Sequence, residues 1–277
     1  MSLHASLGTQ GTLGFLGYGN MGSAILEGLL GRHVLNTAHA VIYDPQPERQ
    51  ELAVKLGVDV AETPEELARR SDFLLLAVKP QTMDAVLPDL KRFADAGAVF
   101  LSIAAGKTLK YFSGHLGAAA RVVRAMPNTP AAVRQGITVA CASQGVTAAQ
   151  RMRCQELLEA VGEALWVEDE TLMDPVTALS GSGPAYVFLL VEAMAAAGSK
   201  LGLTPEMAMQ LARATVAGSG ELLKQSSEPA AQLRVNVTSP GGTTAEALKV
   251  LMADDGIQPV FDKALAAATR RSKELAG

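Results

Sequence analysis

The hexapeptide Gly17-Tyr18-Gly19-Asn20-Met21-Gly22 constrains this chain more than any other stretch, because it lies between a short apolar run at 13–17 and a helix-patterned stretch at 20–31. A Gly-x-Gly-x-x-Gly turn that leaves a strand and opens a helix is suited to a dinucleotide. The first glycine permits the tight turn, the second lets the backbone approach a pyrophosphate, and the third lets helix and strand pack closely. Unpaired amides and the positive dipole end of the helix then favour the anion. Gly17, Gly19, Asn20, Met21 and Gly22 are therefore candidate cofactor contacts. The next apolar run, 40–43, completes a βαβ unit and ends in Tyr43-Asp44-Pro45. An acid at that place accepts the ribose hydroxyls of NAD(H) and repels the 2′-phosphate of NADP(H). Asp44 tilts the expectation towards NAD(H), the alternative being that it only starts the turn ahead of Pro45 and Pro47.

The alternation continues. Residues 46–56, 81–93 and 148–161 carry helical patterns, and 73–78, 98–103, 121–125, 137–140 and 164–167 read as strands. Such an order predicts a mostly parallel sheet with helices on both faces. Beyond Val167 the β-branched residues thin out, and Ala, Leu, Met and Gly fill helix-length segments at 170–179, 183–201, 205–225, 230–236, 243–254 and 257–275. The expected fold is a doubly wound α/β domain over 1–167 followed by an all-helical domain over 168–277. Pro184 and Pro205 fall in first helical turns, where a missing donor costs nothing, and Thr204 is placed to cap the second of these helices. The helix at 183–201 is apolar nearly all round and calls for burial on every side. So small a helical domain has few ways to surround it, so half of that burial is expected from another subunit, the alternative being an interior helix of a monomer.

Charge narrows the partners. The net charge is −4 without any long basic or acidic run, which leaves no footprint for nucleic acid or an anionic membrane. Cys141 and Cys154 are too few for a disulfide framework and lack metal-ligand companions, so they read as reduced core thiols and no metal is expected. Residues 1–11 lack the basic start of a signal peptide, and the longest apolar stretch, 185–197, is interrupted by Glu192 and falls short of the roughly 20 residues a bilayer requires. These features predict a soluble, cytoplasmic protein that acts on small molecules.

Further along, the motifs become more specific. Leu76-Ala77-Val78-Lys79-Pro80-Gln81, Ser102-Ile103-Ala104-Ala105-Gly106, Arg124-Ala125-Met126-Pro127-Asn128-Thr129-Pro130, Leu179-Ser180-Gly181-Ser182-Gly183-Pro184-Ala185-Tyr186 and Val237-Thr238-Ser239-Pro240-Gly241-Gly242-Thr243-Thr244 follow in order. Together with the glycine turn they resemble the pyrroline-5-carboxylate reductase family over essentially the whole chain. The resemblance implies a Rossmann-like N-terminal domain and a helical C-terminal domain that dimerises by interleaving with its partner, often building decamers. It implies reduction of the cyclic imine 1-pyrroline-5-carboxylate to L-proline, the last step of proline biosynthesis, with NADP(H) or NAD(H). In the family, the loops matching Ala77, Val78, Lys79 and Pro80, and Ala104, Ala105 and Gly106, line the nicotinamide side; the segment matching Asn236 to Thr244 binds the substrate carboxylate, in sites between subunits. Lys79 is equally readable as an exposed loop lysine. The chain departs from the family at Tyr43-Asp44-Pro45, where an Asn-Arg-Ser type segment is common in bacteria, at Pro64 in place of an asparagine, and at Val235 in place of an acid.

The residues of the last motif support the same chemistry. A Pro-Gly-Gly turn followed by Thr243 and Thr244 offers amides and hydroxyls at a helix N-terminus, where an anion gains about 0.3 to 1 kcal/mol or more. Ser239 and Thr243 are also placed to cap that helix, with Glu246 completing a box, and both roles are expected together. Reducing a C=N bond takes a hydride on carbon and a proton on nitrogen, and an imine that arrives protonated needs no strong acid. None of the four histidines, His4, His33, His39 and His115, falls in a motif. Thr244 is expected to orient the imine nitrogen, with Ser239, Gly241, Gly242 and Thr243 on the carboxylate. A β-hydroxyacid dehydrogenase would need a lysine and an asparagine on the helix after the second glycine motif, and 184–198 contains neither. A dinucleotide sensor would have no use for a second anion pocket.

Overall fold

The computed structural model describes residues 11–276. The leader reading of 1–11 lies, apart from Gly11, outside them, as does His4. Eight strands form one sheet: β1 (Leu13–Leu16), β2 (Ala40–Tyr43), β3 (Asp59–Val60), β4 (Phe73–Leu76), β5 (Val99–Ser102), β6 (Arg121–Met126), β7 (Gly136–Ala142) and β8 (Gly162–Trp166), in spatial order 3-2-1-4-5-6-7-8. Every pairing is parallel except β6 with β7. Helices follow the strands: α1 (Asn20–Gly31), α2 (Pro47–Lys55), α3 (Pro64–Arg69), α4 (Met83–Asp95), α5 (Leu109–Leu116) and α6 (Ala148–Glu159).

The two-residue period of a strand sends alternate side chains to opposite faces. Leu13, Phe15, Phe73, Leu75, Val99 and Leu101 join one buried cluster with Ile25, Leu26 and Leu29 of α1. Leu16, Leu74, Leu76 and Phe100 join the other, with Leu87 and Leu90 of α4 and Phe112 of α5. Both faces are dry, so the strands read as continuous apolar runs. Cys141 and Cys154 are buried free thiols, and burial pushes both up to about 12.

The helical part contains α7 (Met173–Val176), α8 (Gly183–Lys200), α9 (Pro205–Gln225), α10 (Ala230–Asn236), α11 (Thr243–Leu251) and α12 (Ile257–Ala276). Thr204 caps α9, its hydroxyl accepting from the Met207 amide. Two readings are corrected. The segment 170–179 is no uniform helix but a 3-10 turn (Glu170–Leu172), α7 and a π turn (Thr177–Gly181). These turns run on into α8, so the helical run Glu170–Lys200 spans 31 residues and, by length and composition alone, is long and apolar enough to cross a membrane. The sequence measure of 185–197 had stopped the run at each end too soon.

The chain divides into two compact units, one running to Gly181 and including the chain from Thr269 onward, the other Ser182–Ala268. In the first, Ser272 near the end of α12 is buried and donates to Asp174 Oδ1 at 2.7 Å. In the second, α8 and α9 meet through small side chains, Ala195 against Ala208 and Ala212, and Tyr186 packs edge-on against Phe261. Within the chain, Ala195 is the one buried residue of α8, while Val187, Phe188, Leu189 and Leu190 are exposed.

Candidate functional site

The sheet order sets β2, β1, β4 and β5 side by side, so the segments leaving their carboxyl ends share one rim. Those segments are 17–22, the turn at Asp44, 77–80 and 104–106, and a crevice at such strand ends is where open α/β sheets hold ligands. At its centre Gly17 has φ +98, and a Cβ there would sit 2.8 Å from the Ala77 carbonyl carbon and 2.9 Å from the Val78 nitrogen. A Cβ on Gly22 would lie 2.5 Å from the Gly17 oxygen, so the third glycine is what lets α1 start this close to the strand. Gly19 differs: a Cβ there meets nothing within 4 Å, leaving open space in front of the turn.

The amides of this turn fall into two groups. Gly17 donates to the Tyr43 oxygen at 2.8 Å and Tyr18 to Asp44 Oδ2 at 2.8 Å. Among the described residues the amides of Gly19, Asn20 and Met21 make no hydrogen bond, and Gly19 stands at the N-cap of α1 without a side-chain cap. Three unspent donors at a helix N-terminus, opening on vacant space, fit the pyrophosphate of a dinucleotide. Asp44, 8% exposed, also accepts from the Gln46 amide at 3.0 Å, and its carbonyl accepts from Gln50. The turn-forming role that sequence offered as an alternative is therefore present, together with a bond to the glycine turn that sequence did not foresee.

The neighbouring loops are built less tightly. Ala77 donates to the Leu16 oxygen, Val78 is half-buried, and Lys79 is exposed ahead of the 3-10 turn Pro80–Thr82, its ammonium without a partner among the described residues. Ala104 is buried, Ala105 exposed, and a Cβ on Gly106 would lie 3.2 Å from the Leu275 oxygen at the end of α12. Asn128, noticed in the sequence only as part of a motif, links segments: its amide donates to the Ser180 oxygen of the π turn at 3.2 Å and its Oδ1 accepts from Ile137 at 2.9 Å. Arg124, almost fully buried, pairs at 2.8 Å with Glu170, whose Oε1 also accepts from Leu109 at the start of α5. A buried arginine in a strand was the available sign of such a pair.

In the second unit, the Gly242 amide closes a turn onto the Ser239 oxygen at 3.0 Å, with Gly241 at φ +69. Gly242 is the N-cap of α11, with no side-chain cap, and Glu246 pairs with Lys249 at 2.6 Å. The expected cap and box by Ser239, Thr243 and Glu246 are thus not formed, because an extended glycine already makes the N-cap and Glu246 turns to the next turn of its own helix. The hydroxyls of Ser239, Thr243 and Thr244 make no hydrogen bond among the described residues. Asn236 is engaged: it donates to Glu228 at 2.9 Å and accepts from Gln232 at 2.8 Å. The turn itself holds three free hydroxyls beside the open amides of a helix start, which suits a carboxylate.

Comparison with known proteins agrees with both halves. Residues 170–275 match the model for pyrroline-5-carboxylate reductase dimerisation, and residues 12–106 the model for coenzyme F420-dependent NADP oxidoreductase. The pyrroline-5-carboxylate reductase of Pseudomonas aeruginosa is 43% identical over 95% of this chain and 96% of its own length, and that of Escherichia coli 35% over 95% and 97%. Among solved structures, a pyrroline-5-carboxylate reductase of Coxiella burnetii is 37% identical and superposes with a TM-score of 0.92 over 96% of this chain and 99% of that one. The Plasmodium falciparum pyrroline carboxylate reductase, solved with NADP bound, is 31% identical with a TM-score of 0.83 over 98% of this chain and 100% of that one.

Proposed function

We propose how the residues of this chain work from the premise that it belongs to the pyrroline-5-carboxylate reductase family. It is an NAD(P)H-dependent oxidoreductase that reduces 1-pyrroline-5-carboxylate to L-proline, the last step of proline biosynthesis, and it oligomerises. When bound, NAD(P)H supplies the hydride. The amides of Gly19, Asn20 and Met21 hold the pyrophosphate, and Ala77, Val78, Lys79, Pro80, Ala104, Ala105 and Gly106 line the nicotinamide end. Asp44 places a negative charge at the adenosine end, which favours NADH over NADPH.

The observation that carries the substrate reading is the turn ahead of α11: among the described residues the hydroxyls of Ser239, Thr243 and Thr244 and the amides of Thr243 and Thr244 are unspent, while the Gly242 amide closes the turn onto Ser239. Ser239, Gly241, Gly242 and Thr243 receive the carboxylate of the imine acid, with Asn236 beside them, and Thr244 orients the imine nitrogen. With no acid required for a protonated imine, the protein's contribution is positioning, which in favourable cases supplies roughly 7 to 11 kcal/mol. We further infer a homodimer with interleaved helical domains, able to build a decamer, in which a second copy rather than lipid covers the apolar faces of α8. We infer with it a soluble, cytoplasmic protein that acts apart from membranes and nucleic acid; the absence of any long basic run supports the last point.

Oxidation of NADH and NADPH is followed with pyrroline-5-carboxylate for the unaltered chain and for Thr244→Ala. The variant is expected to lose about ten- to a hundredfold in kcat/KM, the size of one hydrogen bond to a charged group, with cofactor Kd unchanged. Turnover of a hydroxyacid but not of the imine would overturn the assignment, and an unaltered rate in the variant would remove Thr244 from it.

A further inference from the structure

We propose that Asp44 is a positioning residue for the cofactor site: its carboxylate holds the glycine turn in its anion-binding shape, independently of any contact it makes with ribose. The two oxygens do different things. Oδ2 accepts from the Tyr18 amide at 2.8 Å and Oδ1 from the Gln46 amide at 3.0 Å, so one buried side chain joins the turn after β1 to the turn after β2. Gln50 donates to the Asp44 carbonyl at 2.7 Å, and the Gly17 amide donates to Tyr43 at 2.8 Å, which fixes the end of β2 that carries the carboxylate.

The consequence lies in which amides are left over. A peptide chain turning at φ +98 on Gly17 can point the Tyr18 amide either back at the sheet or out with its successors. Tied to Asp44, that amide faces back, and those of Gly19, Asn20 and Met21 at the start of α1 are left without partners among the described residues. The carboxylate is a strong acceptor for a backbone donor, since a charged partner roughly doubles the strength of such a bond. It also keeps lone pairs to spare, as a carboxylate has about four acceptor sites, so bracing the turn does not compete with accepting a ribose hydroxyl. An asparagine cannot replace it: its amide nitrogen is a donor, and one of the two backbone N–H groups would face it unpaired.

This inference rests on the dinucleotide site proposed above and is tested apart from it. Backbone amide exchange is measured on the cofactor-free, full-length protein, and Kd is measured for NADH and for its dideoxy analogue, which lacks both the 2′- and the 3′-hydroxyl of the adenosine ribose. The Tyr18 amide of the unaltered protein is expected to exchange at least about tenfold more slowly than those of Asn20 and Met21, as a buried bonded amide does beside open ones. In Asp44→Asn the Tyr18 amide speeds up, and both NADH and the dideoxy analogue bind about tenfold more weakly, a loss of one charge-assisted hydrogen bond. A Tyr18 amide that exchanges as freely as Asn20 in the unaltered protein overturns the proposal without any variant. So does a penalty in Asp44→Asn that is present with NADH and vanishes with the dideoxy analogue, since the carboxylate would then act on the ribose alone. Should the dinucleotide site itself be misplaced, both cofactors would bind Asp44→Asn as tightly as the unaltered protein, whereas the Tyr18 amide would still be slow in the unaltered protein and faster in the variant.

Discussion

Helices α1 and α8 are both apolar segments opened by a glycine motif, yet they meet opposite fates. Of the 12 residues of α1, Gly22, Ile25, Leu26, Gly28 and Leu29 are buried, because the sheet covers one side of the helix. Of the 18 residues of α8, Ala195 is buried, and Phe188 and Leu189 are more than 60% exposed. Hydrophobicity thus decides that a helix must be covered but not by what. In the α/β unit the cover comes from the same chain; in the helical unit the proposal made above assigns it to a second copy, exposed apolar surface on this scale being a mark of interaction sites.

The sharpest way to break this contrast is to charge the uncovered face. Phe188→Asp is expected to weaken self-association by at least about thirtyfold, the loss associated with a central interface anchor, to give a monomer by sedimentation, and to lose activity with the dimer; a dimer of full activity would show that the face is not an interface. A smaller effect separates the two kinds of cover. Leu26→Ala in α1 should cost about 2 to 5 kcal/mol, with the dimer's dissociation constant by sedimentation unchanged. Leu189→Ala in α8 should instead raise that dissociation constant about tenfold or more, and equal behaviour of the two variants would erase the distinction.

The smallest effect concerns a flaw in the well-covered unit. The Tyr18 ring is 1% exposed and its hydroxyl has no hydrogen-bond partner among the described residues. Burial, aided by Glu27, pushes its phenol from 10.0 up to about 12, so the unfolded chain loses this proton first. The stability due to the neutral ring is whole below pH 10.0 and is lost as the pH rises towards about 12. Tyr18→Phe should leave neutral-pH stability unchanged or raise it by about 1 kcal/mol, and should flatten the alkaline fall in denaturant titrations; a steep fall that survives the substitution would place its cause elsewhere.

Helices α1, α9 and α10 and strand β2 were legible, running between the residues that the pattern marked. Helices α3 and α5, of six and eight residues, were not, although Thr63 and Thr108 cap them through the amides of Glu66 and Tyr111. The antiparallel turn of β7 against β6 leaves no mark on composition, since strands in either direction carry the same apolar pattern. At the site, residue types announced the glycine turn and the Ser-Pro-Gly-Gly-Thr-Thr segment, because their backbone demands are peculiar. Which amides and hydroxyls remain unspent was not legible; that depends on partners as distant in sequence as Tyr18 and Asp44.

The order of the sheet bears on how the protein is made. From β1, strands β2 and β3 are added outward on one side; β4 then returns to the free side of β1, and β5, β6, β7 and β8 follow it outward, each beside its predecessor in the chain. A ribosome releasing this polypeptide from its N-terminus presents each new strand to an edge already in place. No strand has to be inserted between two that have paired, so the sheet can assemble before the helices beyond Ser182 have been synthesised, and the residues from Thr269 onward, which pack on Gly106 and bond to Asp174, join it last.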